Sequence, residues 1–165
     1  MHIPIEGLLL ARAVRCHVGE SPAEERDESS GRVLAIDPGE RRVGLAVSDP
    51  ERRVALGLET FEAAHGRNFI DHLRELLRAY AVIRIVVGQP LTMTGSVGAA
   101  ARRANGLARR LRRELEIDVE LWDERLTTAQ GKRLLRGERA ARGARDRIAA
   151  VLILQSYLDC LDRKP

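Results

Sequence analysis

The sequence predicts an α/β domain on a mixed five-stranded sheet: three antiparallel strands, then crossover strands, with helices on the sheet's faces. Two observations predict it. Short β-branched apolar runs bounded by Pro-Gly and Asp-Pro come first, and helical and strand periodicities then alternate to the end of the chain. A third observation sets the chemistry of the core. Aromatic residues make up only 3% of the 165 residues, so Leu, Val, Ile and Ala must fill it.

The first strand is RVLAID at 32–37, closed by the turn signal Pro38-Gly39. RVGLAVSD at 42–49 is the second, stopped by Asp49-Pro50, and VALGLET at 54–60 completes a meander with short connections. Phe69, Ile70, Leu73, Leu76, Leu77 and Tyr80 fall at helical spacing within 68–80. VIRIVVG at 82–88 is a buried strand cut off by Gly88 and Pro90. A strongly basic helix over 99–116 follows, its expected seam Ala100, Ala104, Leu107, Leu111 and Leu115. The strand IDVELWDE at 117–124 comes next, and Thr127 or Thr128 can cap a further helix. After a poorly patterned stretch at 136–145, a last helix over 146–161 buries Ala149, Ala150, Ile153, Leu154, Tyr157, Leu158 and Leu161. Hairpins followed by right-handed crossovers give the mixed sheet.

Composition narrows the class. A 44% hydrophobic and 32% charged chain reads as soluble and globular. No stretch approaches the roughly 18 apolar residues of a membrane span, and no basic leader precedes the short apolar patch near the start. Residues 1–30 hold three arginines against six acids, whereas the remainder holds 25 basic against 18 acidic residues, together the formal +4. The acidic, apolar-poor GESPAEERDESS makes 1–30 a flexible N-terminal extension, with 31–165 the folded domain. The basic body calls for an acidic partner, of which nucleic acid is the commonest. Cys16 and Cys160 lack ligand spacing and read as reduced thiols of a cytoplasmic protein.

Acids at the ends of buried strands are costly unless they have work to do. Asp37 ends the first strand, Asp123 and Glu124 the last, and Asp146 opens the final helix. With the first strand central, a helix crossing that face can bring Asp146 close to Asp37. Three converging carboxylates with no His or Cys form a hard-oxygen site suited to Mg²⁺ or Mn²⁺. Two such ions, about 3.5–4 Å apart, would activate water and stabilise the leaving oxygen of a phosphodiester. Taken singly, each acid also has a structural use: Asp37 in the turn, Asp123 or Glu124 paired with Arg125, Asp146 as an N-cap.

Taken together and in this order, the acids fall into four blocks: DPGERRVGLAVSD at 37–49, VVGQPLTMTGSVG at 86–98, DERLTT at 123–128 and DRIAAVLILQSYLD at 146–159. These resemble the signature blocks of the YqgF/RuvX family, and the resemblance spans about 32–160. It implies a ribonuclease-H-like fold. It also implies a nuclease, since the family is described both as Holliday-junction resolvases and as nucleases that mature the 5′ end of precursor 16S rRNA. The acidic site then falls on Asp37, Glu124 and Asp146, with Asp123 the rival of Glu124. It is expected to take Mg²⁺ or Mn²⁺ and to act on precursor rRNA or branched DNA, as a monomer or homodimer. Arg41, Arg42 and Arg125 lie beside the acids and are candidates to hold the scissile phosphate, with Thr127 and Thr128 further substrate contacts. Gly39 and Gly44 are expected to serve backbone geometry and close approach of substrate, and Asp49 a turn. The chain departs from the family at Thr94, Arg145 and Gly131, none of them a proposed ligand.

Two other classes compete. An ATPase of the actin and sugar-kinase type also opens on D-x-G, but needs a second such hairpin, which this sequence lacks. A non-catalytic RNA-binding ribosome-assembly factor would not need the acids.

Overall fold

The structure, a computed structural model, describes residues 31–62, 68–90, 98–124 and 142–162. Strands β1 (Arg32–Pro38) and β2 (Arg42–Ser48) form the expected antiparallel pair, with Leu34 opposite Val47 and Asp37 opposite Gly44. The third predicted strand is divided. β3 (Ala55–Gly57) and β4 (Phe61–Glu62) both pair with β2, Gly57 opposite Ala46 and Phe61 opposite Val43. Leu58, Glu59 and Thr60 thus face only Leu45 and Gly44, one residue too many, and this bulge breaks the strand. β5 (Val82–Gln89) runs parallel to β1, and β6 (Asp118–Asp123) parallel to β5. The order β3-β2-β1-β5-β6 puts β1 at the centre and one strand between it and β6.

Strand alternation divides the core between two faces. Leu34, Ile36, Leu45, Val47, Ile85 and Val87 pack under α1 (Phe69–Ala79) and α2 (Ala99–Leu115). Asn68 caps α1, its side chain accepting the Ile70 N–H at 3.1 Å. Val33, Ala35, Ala46, Val86 and Trp122 pack under α3 (Arg142–Leu161), against Ala150, Ile153, Leu154, Tyr157 and Leu158.

Two helix expectations need correction. The buried seam of α2 is Ala101, Ala104, Ala108 and Leu111, rotated from the expected line, while Ala100 is only half-buried. Three alanines let the helix axis approach the sheet closely, and the larger Leu107 and Leu115 then fill its flanks. α3 begins at Arg142, so Asp146 stands inside the helix and is not its N-cap. Alanine and arginine are strong helix formers and extend the helix beyond its apolar stripe.

The outer edge of β6 is closed locally from α2. Arg112 donates through Nε to the Val119 carbonyl at 2.9 Å, and through Nη2 to the same oxygen. Among the described residues no helix is long and apolar enough to cross a membrane.

Candidate active site

Asp37 is the last acid of the central strand, and alternation points it to the face that α3 crosses. Its cross-strand neighbour Gly44 explains how α3 gets there. A Cβ on Gly44 would lie 2.1 Å from the Asp146 backbone oxygen, so only glycine lets the helix rest directly on β2 at this level. The close approach expected of substrate at Gly44 is thus taken by α3. At Gly39 a Cβ would meet the Arg42 carbonyl at 2.3 Å, a constraint of the turn.

The seating brings Asp146 beside Asp37. Burial first, and the negative charge of Asp146 second, push the Asp37 carboxyl up to about 6. Asp146 Oδ2 is buried and has no hydrogen-bond partner. The Arg42 Nε lies 2.9 Å from that oxygen, close enough for an ion pair but off the line of a hydrogen bond. The Arg42 Nη1 lies 3.7 Å from Glu62 Oε1 on β4. Arg42 therefore contacts the acid pair, whereas Arg41 is exposed.

Glu124 reaches the same face from the end of β6. Its Oε1 lies 2.9 Å from where a Cβ on Gly88 would sit, and Gly88 is the next residue along β5 after Val87, the partner of Ile36. Asp123 pairs in register with Gln89, and alternation after Trp122 turns it toward the α2 face. Of the two rivals, Glu124 is the one on the face that α3 covers. The three carboxylates share a neighbourhood without closing on a point. Among the described residues no three His, Cys, Asp or Glu groups are close enough to hold one ion. Arg125, Thr127 and Thr128 lie outside the described residues.

Two polar residues at the other end of β2 are structural. The Ser48 Oγ, fully buried, accepts the Val33 N–H at 3.0 Å and donates to the Asp49 carbonyl at 2.8 Å. Asp49 Oδ1 accepts the N–H groups of Arg53 and Val54 at 2.7 and 2.9 Å, which holds its carboxyl below the usual range; it makes the turn expected of it.

Residues 31–160 match the RuvX family, described as a Holliday junction resolvase. The chain belongs to the RuvX family. Relatives bearing the name "Putative pre-16S rRNA nuclease" match the same region. That of Pelotomaculum thermopropionicum is 42% identical over 138 residues, 80% of this chain and 89% of its own. That of Caldanaerobacter subterraneus subsp. tengcongensis is 39% identical over 133 residues, 78% of this chain and 96% of its own. Among solved structures, T. thermophilus RuvC in complex with a Holliday junction substrate superposes with a TM-score of 0.52 at 17% identity, covering 82% of this chain and 99% of RuvC. At that identity the likeness concerns the fold, which is the ribonuclease-H-like one expected of a RuvX-family chain.

Sequence reasoning missed Glu62, which neighbours Arg42, and the uses of Gly44 and Gly88. A glycine amid a β-branched strand was the available signal for Gly44.

Proposed function

We propose that this chain is a divalent-metal-dependent nuclease whose substrate is the 5′ end of precursor 16S rRNA. The observation that carries the reading is the Asp37–Asp146 pair. Two acids face each other where burial and the second charge push Asp37 up to about 6, and the Asp146 oxygen beside it has an ion pair to Arg42 but no hydrogen bond. A folded chain keeps such an arrangement at a cost of stability, and a hard cation relieves it. The donor set fits Mg²⁺ or Mn²⁺: carboxylate oxygens, with no sulfur or imidazole beside them among the described residues. Asp37 and Asp146 would hold the metal, with Glu124 drawn in from the end of β6, and the metal when bound would supply activation of water and stabilisation of the leaving oxygen. In the hydrolysis, a water oxygen bonds to phosphorus, the P–O ester bond breaks, and the leaving oxygen takes a proton.

The chain's own residues then have separate tasks. Arg42 holds the Asp146 carboxylate at the mouth of the site. Arg125, Thr127 and Thr128 contact the scissile phosphate, Arg41 a neighbouring one. The names of the relatives favour rRNA, while the family's description favours a four-way junction. Purified protein with Mg²⁺ or Mn²⁺ is therefore offered a precursor rRNA fragment, a single-stranded RNA and a four-way junction side by side. Site-specific cleavage of the rRNA fragment, lost in EDTA, is the expected result. Cleavage of the junction alone transfers the reading to DNA. Binding of RNA without any cutting leaves an assembly factor.

A further inference from the structure

We propose that one stripe of α2, Arg102–Gly106–Arg109–Arg113, is a track for the substrate's phosphodiester backbone, leading away from the acid site. This rests on the nuclease reading above and extends it to a surface outside the acidic cluster.

The helix carries six arginines against one glutamate. They do not all share one job. Arg112 is spent on the Val119 carbonyl, and Arg110 pairs with Glu114 at 3.0 Å. Arg102, Arg109 and Arg113 recur with Gly106 at spacings of four, three and four residues, which puts them on one stripe. All three arginines are exposed, and the stripe lies nearly opposite the buried seam Ala101, Ala104, Ala108 and Leu111. Arg113 reaches Glu114 only as an exposed pair at 3.2 Å, a contact that phosphate can displace.

Gly106 is the informative residue. It stands mid-helix, where glycine is the worst helix former after proline. A Cβ there would meet nothing within 4 Å. No packing requires the glycine, in contrast to Gly44, Gly57 and Gly88, where a Cβ would strike α3 or Glu124. A bare patch of helix between arginines one turn away on either side suits a ligand that lies close to the helix surface and carries repeated negative charge. A nucleic-acid backbone has both properties. From Arg102 to Arg113 the stripe runs about 16 Å along the helix axis, room for successive phosphates.

The stripe starts at the same end of the sheet as the acids, on the helix layer of the opposite face. The Arg103 Nη1 lies 3.1 Å from Glu40 Oε1, in the turn that follows Asp37. Gln89 at the end of β5 donates to Asn105 Oδ1 at 2.6 Å. The first turns of α2 are thereby fixed beside the sheet end where Asp37 and Glu124 stand.

The test is fluorescence anisotropy with a labelled precursor rRNA fragment and a labelled four-way junction, on the full chain, in Ca²⁺ to suppress turnover, across a salt series. Gly106→Ala should raise Tm by about 3 °C yet weaken binding about threefold. Arg109→Ala should weaken binding about fivefold and lower the salt slope by about one. Arg53→Ala, removing an equal charge near β3 at the opposite edge of the sheet, should change neither. Wild-type affinity and salt slope in both Gly106→Ala and Arg109→Ala would overturn the track while leaving the nuclease reading intact. Equal loss in Arg53→Ala would reduce the effect to net charge and overturn it too. If wild type binds neither nucleic acid, both readings fall, and an acidic protein becomes the better partner for the stripe.

Discussion

The face of the sheet under α3 carries two polar clusters, one at each end, and they are built on opposite principles. At the far end Arg84 Nε lies 2.8 Å from Asp118 Oδ2, and Arg84 Nη1 donates to the Tyr157 hydroxyl at 3.1 Å. That hydroxyl donates to Glu120 Oε2 at 3.1 Å. Charges there are complementary, and donors meet acceptors. At the site end two acids face each other beside one arginine, with a buried oxygen left without a hydrogen bond. The same helix covers both. The far cluster meets each donor with an acceptor, whereas the site end sets two acids together and holds Asp146 by an ion pair to Arg42 without an aligned hydrogen bond.

The largest effect that tests this contrast is on activity. Asp37→Asn should reduce metal-dependent cleavage about a thousandfold or more while leaving the protein folded. Tyr157→Phe should cleave at close to the wild-type rate per folded molecule. Equal losses in the two variants, measured on one substrate, would falsify the division of roles.

Next in size is Gly44→Val, which forces side-chain atoms into the Asp146 backbone. It should cost about 3 kcal/mol or more and lower Tm by roughly 10 °C. A Tm within a degree or two of wild type would mean that α3 is not seated on β2 here.

The pH dependence of stability sharpens the comparison further. Asp37 is raised from 3.8 to about 6, burial being the larger cause and Asp146 the lesser. The folded chain thus holds this proton more tightly than the unfolded one. The contribution is fully present below about pH 4 and is lost as pH rises through 6, to the extent of roughly 2–3 kcal/mol. Asp37→Asn should flatten that slope in urea titrations at pH 4, 5, 6 and 7. Mg²⁺ should restore part of the stability in wild type at pH 7 and little in the variant. A slope that survives the substitution would assign it to another group.

The smallest effect belongs to the satisfied end. Tyr157→Phe removes the link between Arg84 and Glu120 and should cost about 1 kcal/mol in a denaturant titration. A neutral result would mean that water takes over both bonds.

Much of this was legible in the sequence because it is local. The runs at 32–37 and 82–88, and the apolar spacing of 69–80, state their elements directly. Asp37 and Asp146 stand out as acids in apolar surroundings, and their meeting follows once β1 is central. The errors lie where long-range fit overrides local pattern. The bulge that splits the third strand depends on how Leu58–Thr60 count against β2, which only the pairing reveals. The seam of α2 turned because Ala101 and Ala108 pack closer than Leu107 can. The neighbours of Arg42, Asp146 and Glu62, were not legible because nothing adjacent in the chain announces them.

The guanidinium of Arg112 on the Val119 carbonyl has a bearing on self-association. An outermost strand with open carbonyls is an invitation for another chain to continue the sheet, whether as an ordered dimer or as an aggregate. Here the invitation is withdrawn at Val119 by a side chain of the same molecule, from a helix whose outer face carries mostly positive charge. A second copy that sought to extend the sheet past β6 would have to displace a charged fork from its acceptor, and would bring two arginine-rich helices toward one another as it did so. Among the described residues, edge pairing at Val119 meets an occupied acceptor and a cluster of like charge.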